Sequence, residues 1–260
     1  GLGDACIGGS SVHRFFVEPE NLNDGMARIS GSDARHLRTV MRLGIGDEVC
    51  LIDGKGSEYT AKIEVCDNGD VVARVLDFRE CVCEPEVKLT LLQAVPKGDK
   101  MDFIVQKCTE LGISKIVPCI TQRCVTKLDG KKAADRVTRW QRIALEAAKQ
   151  CGRGTVPTVE SVIPFEDAVH NIGEKKDSLF LMPWELEKSL RLRDVLQERR
   201  EGICSMTFAI GPEGGFAVDE VDVARENGAL TVGLGSRILR TETAGMAVCT
   251  MVLYELGEIG

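Results

Sequence analysis

Between residues 12 and 80, apolar and polar positions alternate in short runs. Residues 12–17, 48–52, 58–65 and 71–78 are β-branched or alternating, and Gly, Asp and Asn separate them, which predicts strands joined by turns. Asp53-Gly54 and Asn68-Gly69 are dipeptides that close hairpins. One helix is expected over 32–41, with Leu37, Val40 and Met41 on its apolar side and Ser32 or Asp33 as its cap. This pattern predicts a small β-barrel with one helical insertion.

After about Glu84 the period changes. Strand-like runs at 87–95, 116–120, 158–163, 178–182, 206–210 and 230–234 alternate with helical stretches at 100–111, 132–151, 187–199, 218–227 and 242–256. In 100–111, Met101, Ile104, Val105, Cys108 and Leu111 share a face, and Gly112 stops the helix. Strict alternation of strand and helix requires crossovers, and so an α/β fold with a mostly parallel sheet. A boundary is expected within 81–86, where charge and Pro85 interrupt the pattern. The expected division is a loose Gly/Ser-rich tail over 1–11, a barrel over 12–83 and an α/β domain over 84–260. The chain starts Gly1-Leu2-Gly3 without an initiator Met, as if a segment had been removed. Its first dozen residues have neither the Arg/Ser bias of a transit peptide nor the apolar core of a signal peptide.

Composition is that of a globular protein, with 43% hydrophobic and 28% charged residues. No run reaches the roughly 18 apolar residues of a membrane span; the uncharged stretch 244–253 is too short. The net charge of −7 argues weakly against a nucleic-acid partner, but charge is segregated. Residues 121–153 hold nine basic side chains against Asp129, Asp135 and Glu146, a local +6 on an acidic background, as a phosphate-contact face requires. The 11 cysteines are odd in number and contain no Cys-x-x-Cys, which points to free thiols in a reducing compartment. The closest pair, Cys81 and Cys83, is expected on alternate sides of an extended chain. His13, His36 and His170 lie far apart, and no zinc-ligand spacing occurs.

Several chemistries fail at the motif level: no P-loop, no Gly-x-Gly-x-x-Gly, no Gly-x-Ser-x-Gly and no His-Glu-x-x-His is present. What remains is a set of loops after predicted strands. Gly211-Pro212-Glu213-Gly214-Gly215 is a glycine-rich loop with exposed backbone N–H groups. Residues 234–244 carry Arg237, Arg240 and Glu242, with Thr241 a natural cap for the last helix. Leu181-Met182-Pro183-Trp184-Glu185 ends a third strand. Three such loops at one sheet edge predict a ligand pocket.

These stretches, with His13-Arg14-Phe15-Phe16-Val17, His36-Leu37-Arg38, Val40-Met41-Arg42, Gln106-Lys107, Glu110-Leu111-Gly112, Arg123-Cys124 and Gln150-Cys151-Gly152-Arg153, make the chain resemble the RsmE family of the SPOUT superfamily. The members of that family are small-subunit ribosomal RNA (uracil-N3)-methyltransferases. The resemblance spans about residues 13–257. It implies a trefoil-knotted methyltransferase domain, an N-terminal PUA-like barrel for RNA, and a homodimer with active sites at the interface. It implies S-adenosylmethionine as methyl donor without a metal, held by Leu181, Met182, Gly211, Pro212, Glu213, Gly214, Gly215, Leu234, Gly235, Ser236, Leu239, Thr241 and Ala244. The substrate would be small-subunit RNA in an assembled or assembling 30S-type particle, with no membrane partner. The compartment would be a bacterial-type cytoplasm, or a stroma or matrix. One departure is Gly154-Thr155, where many relatives have a polar or basic pair.

Uracil N3 must lose a proton and attack in line with the sulfonium methyl, so the site needs alignment, an anion stabiliser and a proton acceptor. Arg240 is the first candidate for the anion, with Arg14 or Arg123 as alternatives, and Glu242 is one candidate base. N3 lies on the Watson–Crick edge, so the target base must be unpaired or flipped. Arg14, Arg38, Arg42, Lys132, Arg136, Arg139 and Arg153 are the candidates for holding the flanking RNA. Two other readings stay open: a non-catalytic RNA-binding or ribosome-assembly protein, and a SPOUT methyltransferase acting on another RNA.

Overall fold

In the first part of the chain, alternating burial builds a curled sheet around one core. The computed structural model describes residues 6–7, 10–11, 13–67, 69–81, 83–126, 130–172, 177–199 and 202–260. Val12, Asn68, Lys127 and most of the expected tail lie outside the described residues. The elements are β1 (Cys6–Ile7), β2 (Ser10–Ser11), β3 (Arg14–Phe16), β4 (Leu22–Asn23), β5 (Met26–Ile29), α1 (Gly31–Thr39), β6 (Glu48–Ile52), β7 (Ser57–Cys66) and β8 (Val71–Glu80). The main sheet has the order β3-β6-β7-β8-β5-β4. Register shifts at Thr60/Ala61 and Ile63/Val65 bend the long β7–β8 hairpin. Phe15, Ile29, Leu37, Leu51, Ile63 and Val71 meet in its core. The helix starts after Ser30, earlier than Ser32 or Asp33 would cap it, and Ser30 makes no side-chain cap. The sequence pattern does not predict β4 and β5, because two and four residues are too few for the alternate burial of Ala27 and Ile29 to stand out. Contacts divide the chain into two compact units: Gly1–Glu84 with Ala148–Val156, and Pro85–Ala147 with Pro157–Gly260.

The second unit follows the predicted alternation through β9 (Lys88–Ala94), α2 (Lys100–Leu111), β10 (Lys115–Ile120), α3 (Gly130–Cys151), β11 (Thr158–Val159), β12 (Ile163–Pro164), α4 (Phe165–His170), β13 (Ser178–Pro183), α5 (Leu192–Glu198), β14 (Ser205–Ile210), α6 (Val218–Glu226), β15 (Leu230–Val232) and α7 (Thr241–Leu256). Every described pairing in its sheet is parallel, in the order β11-β10-β9-β14-β13-β15, with β12 also on β10. The strand expected over 158–163 splits in two, because Ser161 faces solvent. The helix expected from 187 begins at Leu192, since the Glu187 carboxylate accepts the N–H groups of Ser189 and Leu190 and makes a turn there. α4 has only six residues, too few for a 3.6-residue period to stand out. Parallel neighbours β9, β14, β13 and β15 end at the same edge, so residues distant in sequence give adjacent loops. Among the described residues, no helix is long and apolar enough to cross a membrane.

Candidate functional site

A cavity of about 330 Å³ lies at that edge, lined by the loops after β13, β14 and β15 and by the first turn of α7. The loop 211–215 is tightly folded: Gly215 N–H donates to Pro212 O at 2.9 Å. A Cβ on Gly211 would sit 3.2 Å from the Gly215 carbonyl carbon, a tight contact set by the close approach of the two backbones. Next to it, the Thr241 hydroxyl donates to Gly211 O at 2.7 Å and accepts from Gln93 Nε2 at 3.0 Å. Gln93 is fully buried in β9, and among the described residues its Oε1 has no hydrogen-bond partner. The expected cap role of Thr241 is therefore replaced: Arg240 occupies the cap position, and Thr241 ties α7 to the glycine loop.

Carboxylates brace the same loops. Lys100 Nζ lies 2.9 Å from Glu213 Oε1 and 3.4 Å from Glu242 Oε2, and Lys97 N–H also donates to Glu213. Burial pushes the Glu213 carboxyl up, but the Lys100 and backbone hydrogen bonds outweigh this and hold it below its ordinary value. Glu187 accepts from the Ser189 hydroxyl and backbone and from Thr231, which lowers its carboxyl to about 2. Arg225, 3.7 Å from Glu187, stacks its guanidinium over Trp184 with 5.2 Å to the ring centroid. The sequence pattern does not single out Gln93 or Lys100 as pocket residues; a glutamine inside the apolar run 87–95 is the signal for the first.

The structure brings most predicted pocket residues together. Gly211 to Gly215, Leu234, Gly235, Ser236, Leu239, Thr241 and Ala244 all line the cavity. Leu181 and Met182 do not; both are fully buried inside β13, and Pro183, Trp184 and Glu185 take the lining positions. Arg240 is 82% exposed beside the cavity, with Glu242 Oε1 at 4.0 Å. Arg123 donates to Gly214 O at 2.8 Å. Arg14 belongs to the first unit, where it donates to Gly152 O at 3.1 Å and pairs with buried Glu58 at 2.9 Å.

The RNA candidates are less uniform. Arg42 is exposed and Arg38 bonds the carbonyls of Ala34 and Asp67, both on or just after α1. Lys132 is exposed and Arg136 half-buried on α3. Arg139 pairs with Asp102, which also accepts from Trp140 Nε1. Arg153 corrects the expectation of a surface contact: it is 5% exposed and forks onto Glu84. Counting charge along 121–153 could not see these acidic partners.

A parallel sheet with a glycine-walled cavity at its carboxyl edge defines a small-ligand site on an α/β fold, and the comparisons assign its class. Residues 83–253 match the family described as RNA methyltransferase domain, and residues 29–76 match the RNA methyltransferase PUA domain. The chain is 33% identical to ribosomal RNA small subunit methyltransferase E of Bacillus subtilis, over 94% of this chain and 97% of that one. A crystal structure of a ribosomal RNA small subunit methyltransferase E from Neisseria gonorrhoeae bound to S-adenosyl methionine is 36% identical, with a TM-score of 0.77 over 93% of this chain and 97% of that one. A Legionella pneumophila putative methyltransferase in complex with the same cofactor is 30% identical, with a TM-score of 0.77 over 94% and 97%. This is an RNA methyltransferase fold with an attached PUA domain. The chain belongs to the ribosomal RNA small subunit methyltransferase E family.

Proposed function

We propose that this protein transfers a methyl group from S-adenosylmethionine to N3 of one uridine in small-subunit ribosomal RNA. The observation that carries the reading is the cavity walled by 211–215, 234–239 and the start of α7, in a chain of this family. Its residues fit the donor. The volume is at the lower end of the roughly 300–1,000 Å³ usual for small-ligand sites. Glycine loops leave backbone groups open to a nucleoside, and Glu185 presents a carboxylate to the cavity, while Glu187 and Glu213 are engaged by Arg225 and Lys100. The bound donor supplies an electrophilic methyl on a sulfonium.

The chain's own residues do the rest. Arg240 is exposed at the mouth and is the group we assign to the negative charge developing on O2 and O4 of the uracil. Glu242, held 3.4 Å from Lys100, is the assigned acceptor of the N3 proton. Arg123 keeps the glycine loop in place through Gly214 O. Arg38 and Arg42 of the PUA-type unit, with Lys132 and Arg136 of α3, grip flanking phosphates, while Arg14, Arg139 and Arg153 act through Glu58, Asp102 and Glu84. Residues 12–83 then serve RNA and 84–260 the transfer. The family match over 83–253 supports the trefoil knot implied by the resemblance. Met251 and Tyr254 leave an exposed apolar stripe on α7, which supports a homodimer.

The test is mass mapping of small-subunit RNA, free and in 30S-type particles, after incubation with the protein and labelled cofactor. One uridine should gain a label that blocks its pairing edge. Label on another base type, or none in either substrate, defeats the reading.

A further inference from the structure

Just beyond β8, Cys81 and Cys83 place their sulfurs 2.7 Å apart. This overturns the expectation of alternate sides on an extended chain: β8 ends at Glu80, and Cys83 lies in a turn that brings its sulfur to Cys81. The two thiols differ in access: Cys81 is 9% exposed, and Cys83 faces solvent. Cys81 is buried against the turn at 152–154. A Cβ on residue 154 would sit 2.5 Å from Cys81 Sγ, so only glycine leaves room for this thiol. That accounts for Gly154 in the departure noted from the sequence: a polar or basic side chain there is incompatible with Cys81 in this position. Cys83 in turn donates to Gly152 O at 3.4 Å, the same oxygen that receives Arg14 at 3.1 Å.

We propose that Cys81 and Cys83 are a reversible oxidation site, at which a hydroperoxide converts the pair to an intramolecular disulfide and thereby changes the seat of Arg14 on Gly152. Cys83 is the nucleophile. The hydrogen bond from Cys81 lowers its thiol to about 6, assisted by the backbone of Gly154 and by Arg14, against burial and Glu84. The same sulfur contact and burial raise Cys81, with Glu58 adding to the rise, so Cys81 stays protonated as the resolving thiol. The Cys83 thiolate attacks the terminal oxygen of the hydroperoxide, the O–O bond breaks, and the alkoxide takes up the proton that Cys83 released to solvent on ionising and leaves as alcohol. Cys83 is now a sulfenic acid. Cys81 sulfur attacks Cys83 sulfur, the S–O bond breaks, and water leaves with the Cys81 proton. Two thiols lose two electrons and the hydroperoxide gains them. A dithiol reductant reverses the bond by exchange, as expected of a disulfide with a solvent-facing sulfur. The disulfide draws the Cys83 sulfur onto Cys81 and pulls on the 152–154 turn, whose Gly152 O receives Arg14 of β3.

The full-length chain is titrated with hydrogen peroxide and mapped without reduction. Trypsin cutting after Arg79 and Lys88 isolates residues 80–88, which contain Cys81 and Cys83 and no other cysteine. This peptide should become two hydrogens lighter, resist alkylation, and recover with dithiothreitol. Cys81→Ser should stop at a sulfenic acid on Cys83, and Gly154→Ser should slow closure by displacing Cys81. A peptide that stays alkylatable while exposed Cys151 or Cys204 is oxidised overturns the site. The effect on Arg14 rests on the proposed RNA function: oxidised protein should bind a small-subunit RNA fragment several-fold more weakly, reversibly, and Cys83→Ser should be insensitive. If reduced protein binds and oxidised protein binds equally, the effect on Arg14 is refuted. If reduced protein does not bind, the RNA reading fails, and the peptide map still decides the thiol chemistry.

Discussion

Thr241→Val is the sharpest probe of the cofactor pocket. Valine keeps the shape and β-branching of threonine and so leaves the preferences of the first helical turn nearly unchanged. It removes the hydroxyl that donates to Gly211 O at 2.7 Å and accepts from Gln93 at 3.0 Å. A stranded buried polar group costs about 1–3 kcal/mol. Gln93 Nε2 keeps its bond to Ala94 O, and Gly211 is only half-buried, so water replaces part of the loss. That sets the expectation at the low end, about 1–2 kcal/mol. Expressed in cofactor affinity, it is a weakening of about five- to thirty-fold. Calorimetric titration with S-adenosylmethionine, alongside denaturant unfolding, divides the loss between binding and overall stability. Thr241→Ser should recover most of it. If Thr241→Val binds within twofold of the parent and unfolds at the same midpoint, or if the serine variant is as weak as the valine one, the hydroxyl relay does not hold the loop.

Gly211→Ala and Gly214→Val should both weaken the calorimetric affinity, the first because its new carbon presses on the Gly215 backbone at 3.2 Å, the second because its Cβ meets Arg123 Cβ at 3.3 Å; unchanged affinity in both would count against this pocket. Arg240→Ala should slow single-turnover methyl transfer at saturating RNA by about 10²–10³ with little change in RNA affinity. Lys132→Ala should do the reverse, weakening RNA binding and reducing its salt slope by about one; equal transfer rates in the two variants would contradict both roles. The Glu187 carboxyl is depressed to about 2 from an ordinary 4.5, so its contribution to stability is complete above 4.5 and lost as pH falls toward 2; Glu187→Gln should flatten that acid limb in denaturation midpoints. Light scattering at micromolar concentration should give twice the subunit mass, and substituting charged residues for Met251 and Tyr254 should return it to one.

Elements whose apolar spacing extends over several turns or pairs are legible directly. Helix 100–111 and strand 48–52 match the structure end to end because each buries an unbroken face. The glycine loops are visible because Gly and Pro at a strand end act locally. What stays hidden depends on partners far away along the chain. Lys100 meets Glu213 across 113 residues and Gln93 meets Thr241 across 148, and no local pattern reports either. The same blindness makes Arg153 look like a surface cation, when Glu84 has already neutralised it. Cys81 and Cys83 are hidden for a simpler reason: the chain turns at Cys83 with no glycine at 81–83 to announce it.

The glycine loop is fastened on several sides by its own protein: Pro212 to Gly215 within it, Thr241 at its base, and Lys97 and Lys100 on Glu213. A loop tethered this way has little conformational freedom left to surrender, so an arriving ligand need not supply the ordering free energy. Association should then be a single fast phase, proportional to ligand concentration, with no slow isomerisation following it. Selectivity among adenosine derivatives would be written in how quickly they depart rather than in how quickly they arrive.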